Sequence, residues 1–199
     1  MSLPLLRWSH LLLLILLAAA GPARTEDLGG GLTYFRPGAT DALPAAPREP
    51  TVLDFRYLAD DAPAAELAAL LQSKGPLRIV LHGPHPPPGL TTALAGRAAN
   101  VLTLAPAGAN PPADFELAVE PAEDRAAYGA YEQNIPIDVL TRTGANKTRH
   151  DEAALVRGAP APVEEAAAPA DETAKAPVDR LLQRALQLAR GLQALNRAR

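Results

Sequence analysis

"TVLDFRYLADDAPAAELAALLQSKGPLRIVLHGPHPPPGLTTALAGRAANVLTLAP", residues 51–106, is the stretch that decides the fold. It holds three apolar runs, "TVLDFRYL" (51–58), "LRIVLHG" (77–83) and "NVLTLAP" (100–106), with two stretches of helical character between them. In the first run Val52, Leu53, Phe55, Tyr57 and Leu58 break strict alternation, as in a strand covered on both faces. "DDAPAAELAALLQSKG" (60–75) predicts a helix capped by Asp60 or Asp61, with Glu66 early, Leu67, Leu70 and Leu71 on one stripe, and Gly75 at the end. "GLTTALAGRAA" (89–99) predicts a shorter helix, with Thr91 or Thr92 near its start. Strands alternating with helices form βαβ units. The expected fold is therefore α/β: a small mixed, mainly parallel sheet with flanking helices.

Working outward, "RTEDLGGGLTYFRPG" (24–38) reads as a flexible glycine run and then a first strand over Leu32–Phe35, ended by Pro37 and Gly38. An Ala- and Pro-rich loop follows. "DFELAVEP" (114–121) adds a strand, and "PIDVLTR" (136–142) is read as the last one. Periodicity leaves "AEDRAAYGAYEQN" (122–134) open between helix and extended chain. In residues 159–177, twelve of nineteen positions are Ala or Pro, a linker with little to bury. In 178–199, Leu181, Leu182, Ala185, Leu188, Ala189, Leu192 and Leu195 recur at helical spacing beside five arginines and one aspartate. This amphipathic helix is marginal alone. It is expected to dock on the domain, on a second copy or on a membrane surface. The expected layout is 1–23 signal peptide, 24–158 α/β domain, 159–177 linker and 178–199 C-terminal helix.

The first twenty residues, "MSLPLLRWSHLLLLILLAAA", combine Arg7, an apolar core at Leu11–Leu17 and small residues at Ala18, Ala19 and Ala20. That is the pattern of a secretory signal, with cleavage after Ala20 or Ala23. The apolar run is short for a membrane span, which needs about 20 residues; an uncleaved anchor is the alternative. The chain has no cysteine, so it has neither disulfides nor thiol chemistry. An exported protein held by its core alone suits the bacterial periplasm. Removing Arg7 leaves 18 basic and 22 acidic residues, a net charge of −4, which excludes an extended nucleic-acid surface. The single tryptophan, Trp8, leaves with the signal, and aromatics at 4% of the chain give little for stacking on bases or sugars.

Chemistry is sought in the loop that follows "LRIVLHG". His82 ends a parallel strand, where ligand sites of open α/β sheets gather. His85 lies among Pro84, Pro86, Pro87 and Pro88, and the next helix carries Thr91 and Thr92. No serine lies in this loop, and a helical threonine commonly bonds to its own backbone. His82, His85 and His150 have no regular zinc-ligand spacing, so no metal or other cofactor is expected. The prolines remove N–H donors that a phosphate nest requires. Asp54 and Arg56, two apart in one strand, share a face and read as a charge-paired strand end. Asp138 reads similarly, and Glu123, Asp124 and Arg125 read as a solvated turn. "NKT" (146–148) fits the N-glycosylation pattern, relevant only in a eukaryotic secretory route.

The order of these motifs resembles the C-terminal processing peptidases, serine peptidases with a crotonase- or ClpP-like core. The resemblance rests on "GLTYFRP", "VLDFRYLAD", "LRIVLHGPHPPPGLTTALAG", "NIPIDVL" (134–140) and "APVDRLLQRALQLARGL" (176–192), in that order. It covers most of residues 31–192. The family's motifs place a serine nucleophile where this chain reads "GLTTALAG", a lysine base where it reads "APAGANPPADF", and oxyanion glycines where it reads "YLADDAP". All three are missing together. The resemblance thus implies a non-catalytic relative, a secreted or periplasmic module that binds a protein partner or its own copy through the C-terminal helix. The alternative is a hydrolase with an unconventional site around His82, His85, Thr91 and Thr92.

Overall fold

A computed structural model describes residues 24–38, 43–44, 47–58, 63–142 and 176–197. The signal segment, Asp60, Asp61, Asn146, His150 and most of the linker lie outside the described residues. The chain divides into two compact units, residues 1–120 with 180–199, and residues 121–179.

The first unit is built on a six-stranded sheet. Its strands are β1 (Arg24–Asp27), β2 (Thr33–Arg36), β3 (Thr51–Phe55), β4 (Arg78–His82), β5 (Val101–Pro106) and β6 (Phe115–Leu117), in that spatial order. β2 to β6 run parallel; β1 is antiparallel to β2, Thr25 facing Phe35 and Glu26 facing Tyr34. The architecture is the small, mainly parallel α/β sheet expected from the alternation in residues 51–106. The strand β1 is an addition to that expectation. Gly29, Gly30 and Gly31 hold φ of +75°, +66° and +72° and turn the chain back on itself, and the Gly29 amide donates to Asp27 Oδ1 at 2.8 Å. A glycine run that read as slack is the corner of a hairpin.

Helix α1 (Ala64–Gln72) links β3 to β4, and α2 (Pro88–Ala95) links β4 to β5. The register aligns Phe35, Leu53 and Val80 across the sheet, and pairs Phe55 with His82. These apolar side chains form one core with Leu67, Leu70 and Leu71 of α1 and Leu90, Ala93 and Leu94 of α2. The three leucines of α1 are the stripe read from the sequence. The helix does not run to Gly75: it ends at Ser73, which turns to extended backbone. The reason is Arg78. Its guanidinium, fully buried, donates to the carbonyls of Leu70, in the last turn of α1, and of Ser73, just past it, and to Ser73 Oγ at 2.6 Å, while the Leu71 carbonyl accepts from the Ala98 amide at 3.0 Å.

The opposite face of the sheet carries Tyr34, Val52, Asp54, Ile79, Leu81 and Leu104, all at most 1% exposed. It is closed by α5 (Arg180–Arg197), which packs on β3, β4 and β5. Leu181, Leu182, Ala185, Leu186 and Ala189 are the buried stripe of α5. Of the docking partners considered for this helix, its own sheet receives this face.

In the second unit, α3 (Pro121–Glu132) is helical, which resolves the ambiguous segment. Pro121 suits the first helical position, and Glu123 and Asp124 sit at the positive end of the helix dipole. The solvated-turn reading of this acidic group is corrected: it opens a helix, and Asp124 is buried on the same side as Ala127 and Tyr131. Asn134, at φ +64°, ends the helix, and the Ile135 amide donates to the Ala130 carbonyl at 3.2 Å. The last strand expected at 136–142 is instead the single turn α4 (Ile137–Leu140). Pro136 is extended and starts that turn; Thr141 Oγ1 closes it on the Ile137 carbonyl at 2.7 Å. Three apolar residues in four, interrupted by Asp138, carry too little period to separate the two outcomes.

Candidate functional site

Toward the carboxyl ends of β2, β3 and β4 lie the buried polar side chains Arg36, Asp54, Arg56 and His82. Asp54 has no exposed surface. Arg56 grips it with two bonds, Nε to Oδ1 at 3.0 Å and Nη2 to Oδ2 at 2.7 Å, and adds its backbone amide to Oδ1 at 3.3 Å. Tyr34 donates its hydroxyl to Oδ2 at 2.9 Å. Burial pushes the Asp54 pKa up. The Arg56 charge and hydrogen bonds, with help from Arg36 and Tyr34, outweigh that and hold it below the usual carboxylate range. Burial, followed by the Asp54 charge, raises the Tyr34 phenol well above its ordinary value, so it remains a donor at neutral pH. The Asp54–Arg56 pair read from spacing in one strand is present. Tyr34, on the neighbouring strand, left no signal in the local sequence. Asp138 differs from Asp54: it lies exposed, 3.8 Å from Arg142.

The loop after β4 starts at Gly83, where an added Cβ would lie 2.7 Å from the Arg56 carbonyl. Only glycine lets the two chain corners approach this closely. His82, with no exposed surface, places Nδ1 2.9 Å from the Gly83 carbonyl. A carbonyl only accepts, so Nδ1 carries the proton and Nε2 holds a lone pair. Nε2 is buried and has no partner among the described residues. Burial is the main cause that lowers the His82 pKa, and the ring is neutral at pH 7.

His85 is exposed. Helix α2 begins at Pro88, and its threonines fall in the second turn, past the N-terminal N–H groups. Thr91 Oγ1 donates to the Pro86 carbonyl at 3.2 Å, and Thr92 Oγ1 to the Pro88 carbonyl at 3.0 Å. Neither hydroxyl bonds to His82 or His85. The four residues of the alternative site run from the end of β4 through the loop into α2, yet the structure links none of them to another by a side-chain hydrogen bond.

A clamp that sequence reasoning missed lies one strand further on. Asp114 Oδ2 accepts from the Thr103 amide at 2.8 Å and from Thr103 Oγ1 at 3.0 Å, and Oδ1 meets Arg97 at 2.7 Å. Burial raises the Asp114 pKa, but these bonds and Arg97 bring it below the ordinary range. The clamp pins β6 to β5, and its partners lie too far apart in the chain for spacing to reveal them. Among the described residues, no group of three or more His, Asp or Glu could hold a metal ion, and no helix is long and apolar enough to cross a membrane. No protein-family model, curated protein or solved structure matches the chain.

Proposed function

We propose that this chain is an exported, non-catalytic binding or assembly module on a degenerate scaffold of the C-terminal processing peptidase type. The observation that carries the reading is the state of the threonines. Both hydroxyls at the expected nucleophile position donate to proline carbonyls, and a hydroxyl so engaged has no base to take its proton. The buried charges nearby support the same reading, because Asp54 and Arg56 saturate each other instead of facing a ligand. Binding falls to the outer surface, to a protein partner or a second copy, with the remaining leucines of α5 as the proposed contact. The signal-like first twenty residues support secretion or periplasmic export.

A second reading, an unconventional hydrolase, draws on one observation, the unpartnered Nε2 of buried His82. One experiment separates the two. The chain is incubated with fluorogenic peptides, a nitrophenyl ester and a fluorophosphonate probe. The expected result is no turnover and no labelling. Turnover that Thr91→Ala or Thr92→Ala abolishes, with the fold intact by circular dichroism, overturns the module reading.

A further inference from the structure

A hollow of about 270 Å³ opens on the α1/α2 side of the sheet, beside β1, β2 and the start of β3. Pro44 and residues 47–49, ahead of β3, wall it in. Phe35 and Thr33 of β2, Thr25 of β1 and Thr51 of β3 line the sheet side; Pro44, Pro47, Arg48 and Glu49 line the other. Sites for drug-sized ligands run from about 300 Å³ upward, so this one suits a smaller molecule. Phe35 and the two prolines make an apolar, stiff lining. Thr51 Oγ1 donates to the Glu49 carbonyl at 2.8 Å, which fixes the wall to the sheet. The hydroxyls of Thr25 and Thr33 bond to no other described residue, and the side chains of Arg48 and Glu49 form no ion pair with any. Two adjacent, exposed, opposite charges thus stand at an apolar hollow with two spare hydroxyls.

We propose that this hollow binds a small zwitterion with an apolar side chain, namely a free amino acid. Arg48 takes the carboxylate, Glu49 the ammonium group, and Phe35 with Pro44 and Pro47 the side chain. None of the lining residues belongs to the loop at 83–92, so the site stands independently of the reading as a non-catalytic module.

The test is amide chemical-shift mapping on the whole chain with three probes: L-leucine, isocaproate (the acid without the amine) and isoamylamine (the amine without the acid). L-leucine is expected to shift the amides of Thr33, Arg48, Glu49 and Thr51 saturably, with millimolar affinity or better. Isocaproate and isoamylamine should each bind about tenfold more weakly, since each leaves one charge unmatched. Arg48→Ala and Glu49→Gln are exposed changes that spare the core; each should weaken L-leucine by about tenfold and leave the remaining spectrum in place. Isocaproate binding as tightly as L-leucine, unchanged affinity in Arg48→Ala, or no saturable shift at these amides would each overturn the proposal.

Discussion

A carboxylate removed from water keeps its charge only when donors surround it, and Asp54 shows how completely that can be met. Two guanidinium bonds, a backbone amide and a phenol converge on its two oxygens. Removing the carboxylate leaves Arg56 buried and uncompensated, so Asp54→Ala should cost about 3–5 kcal/mol in urea unfolding. Tyr34→Phe removes one donor of four and should cost less, about 1–3 kcal/mol. The pair also sets the acid limit. The folded pKa of Asp54 lies below its unfolded value of about 3.9, so its contribution is present above that pH and is lost as pH falls through the folded value. His82 acts in a different window. Its folded pKa is lowered from about 6.5, so below that pH the unfolded chain binds the extra proton first and stability falls. His82→Leu should flatten the stability profile just below about pH 6.5 while leaving the Asp54 limb, below about pH 3.9, in place. A midpoint that tracks pH identically in both proteins would show that His82 is not the group responsible.

Elements follow the chain's local signals where those signals are long, and depart where they are short. The leucine stripe of α1, on a helix of nine residues, and most of the leucine and alanine stripe of α5, on one of eighteen, were legible as helix faces, Leu186 of α5 being the addition. Their ends were not. Arg78 ends α1 from the next strand, and a residue that acts across an intervening turn writes nothing into the helix it caps. β1 was missed because four polar residues, Arg24 to Asp27, carry no apolar alternation; the glycine corner and the neighbouring β2 supply what the sequence lacks. The candidate loop was legible in its composition, down to the tendency of its threonines to bond to backbone. The Tyr34 and Asp114 contacts were not, since each joins separate strands or loops. α5 carries a prediction of its own. Its buried stripe leaves Leu188 and Leu192 half-buried and Leu195 64% exposed, with Arg184 and Arg190 also on the outside. If these leucines make the proposed assembly contact, light scattering should give a mass above one chain, and Leu195→Glu should return it to one. Leu182→Ala, which empties the inner stripe, should instead cost about 2–5 kcal/mol of stability.

At the scale of the molecule, the sheet of the first unit draws its two covering layers from different parts of the chain. α1 and α2 arrive between the strands they join, so the core under them assembles from neighbours in sequence. The other face waits for α5, which begins at Arg180, far beyond the last strand at Leu117. Until it docks, Val52, Ile79, Leu81 and Leu104 face water together, and a contiguous apolar patch on a sheet is an association surface. An isolated helix of eighteen residues is marginal in water, so α5 is expected to gain most of its helicity from this contact. A chain ending at Asp179 should therefore keep the strand and α1/α2 signals in circular dichroism, bind a hydrophobic dye strongly and self-associate. Supplying a peptide of residues 176–199 should reverse the dye binding, and the same peptide carrying Leu182→Glu should not. A truncated chain that stays monomeric and dark to the dye would mean that something other than α5 covers this face.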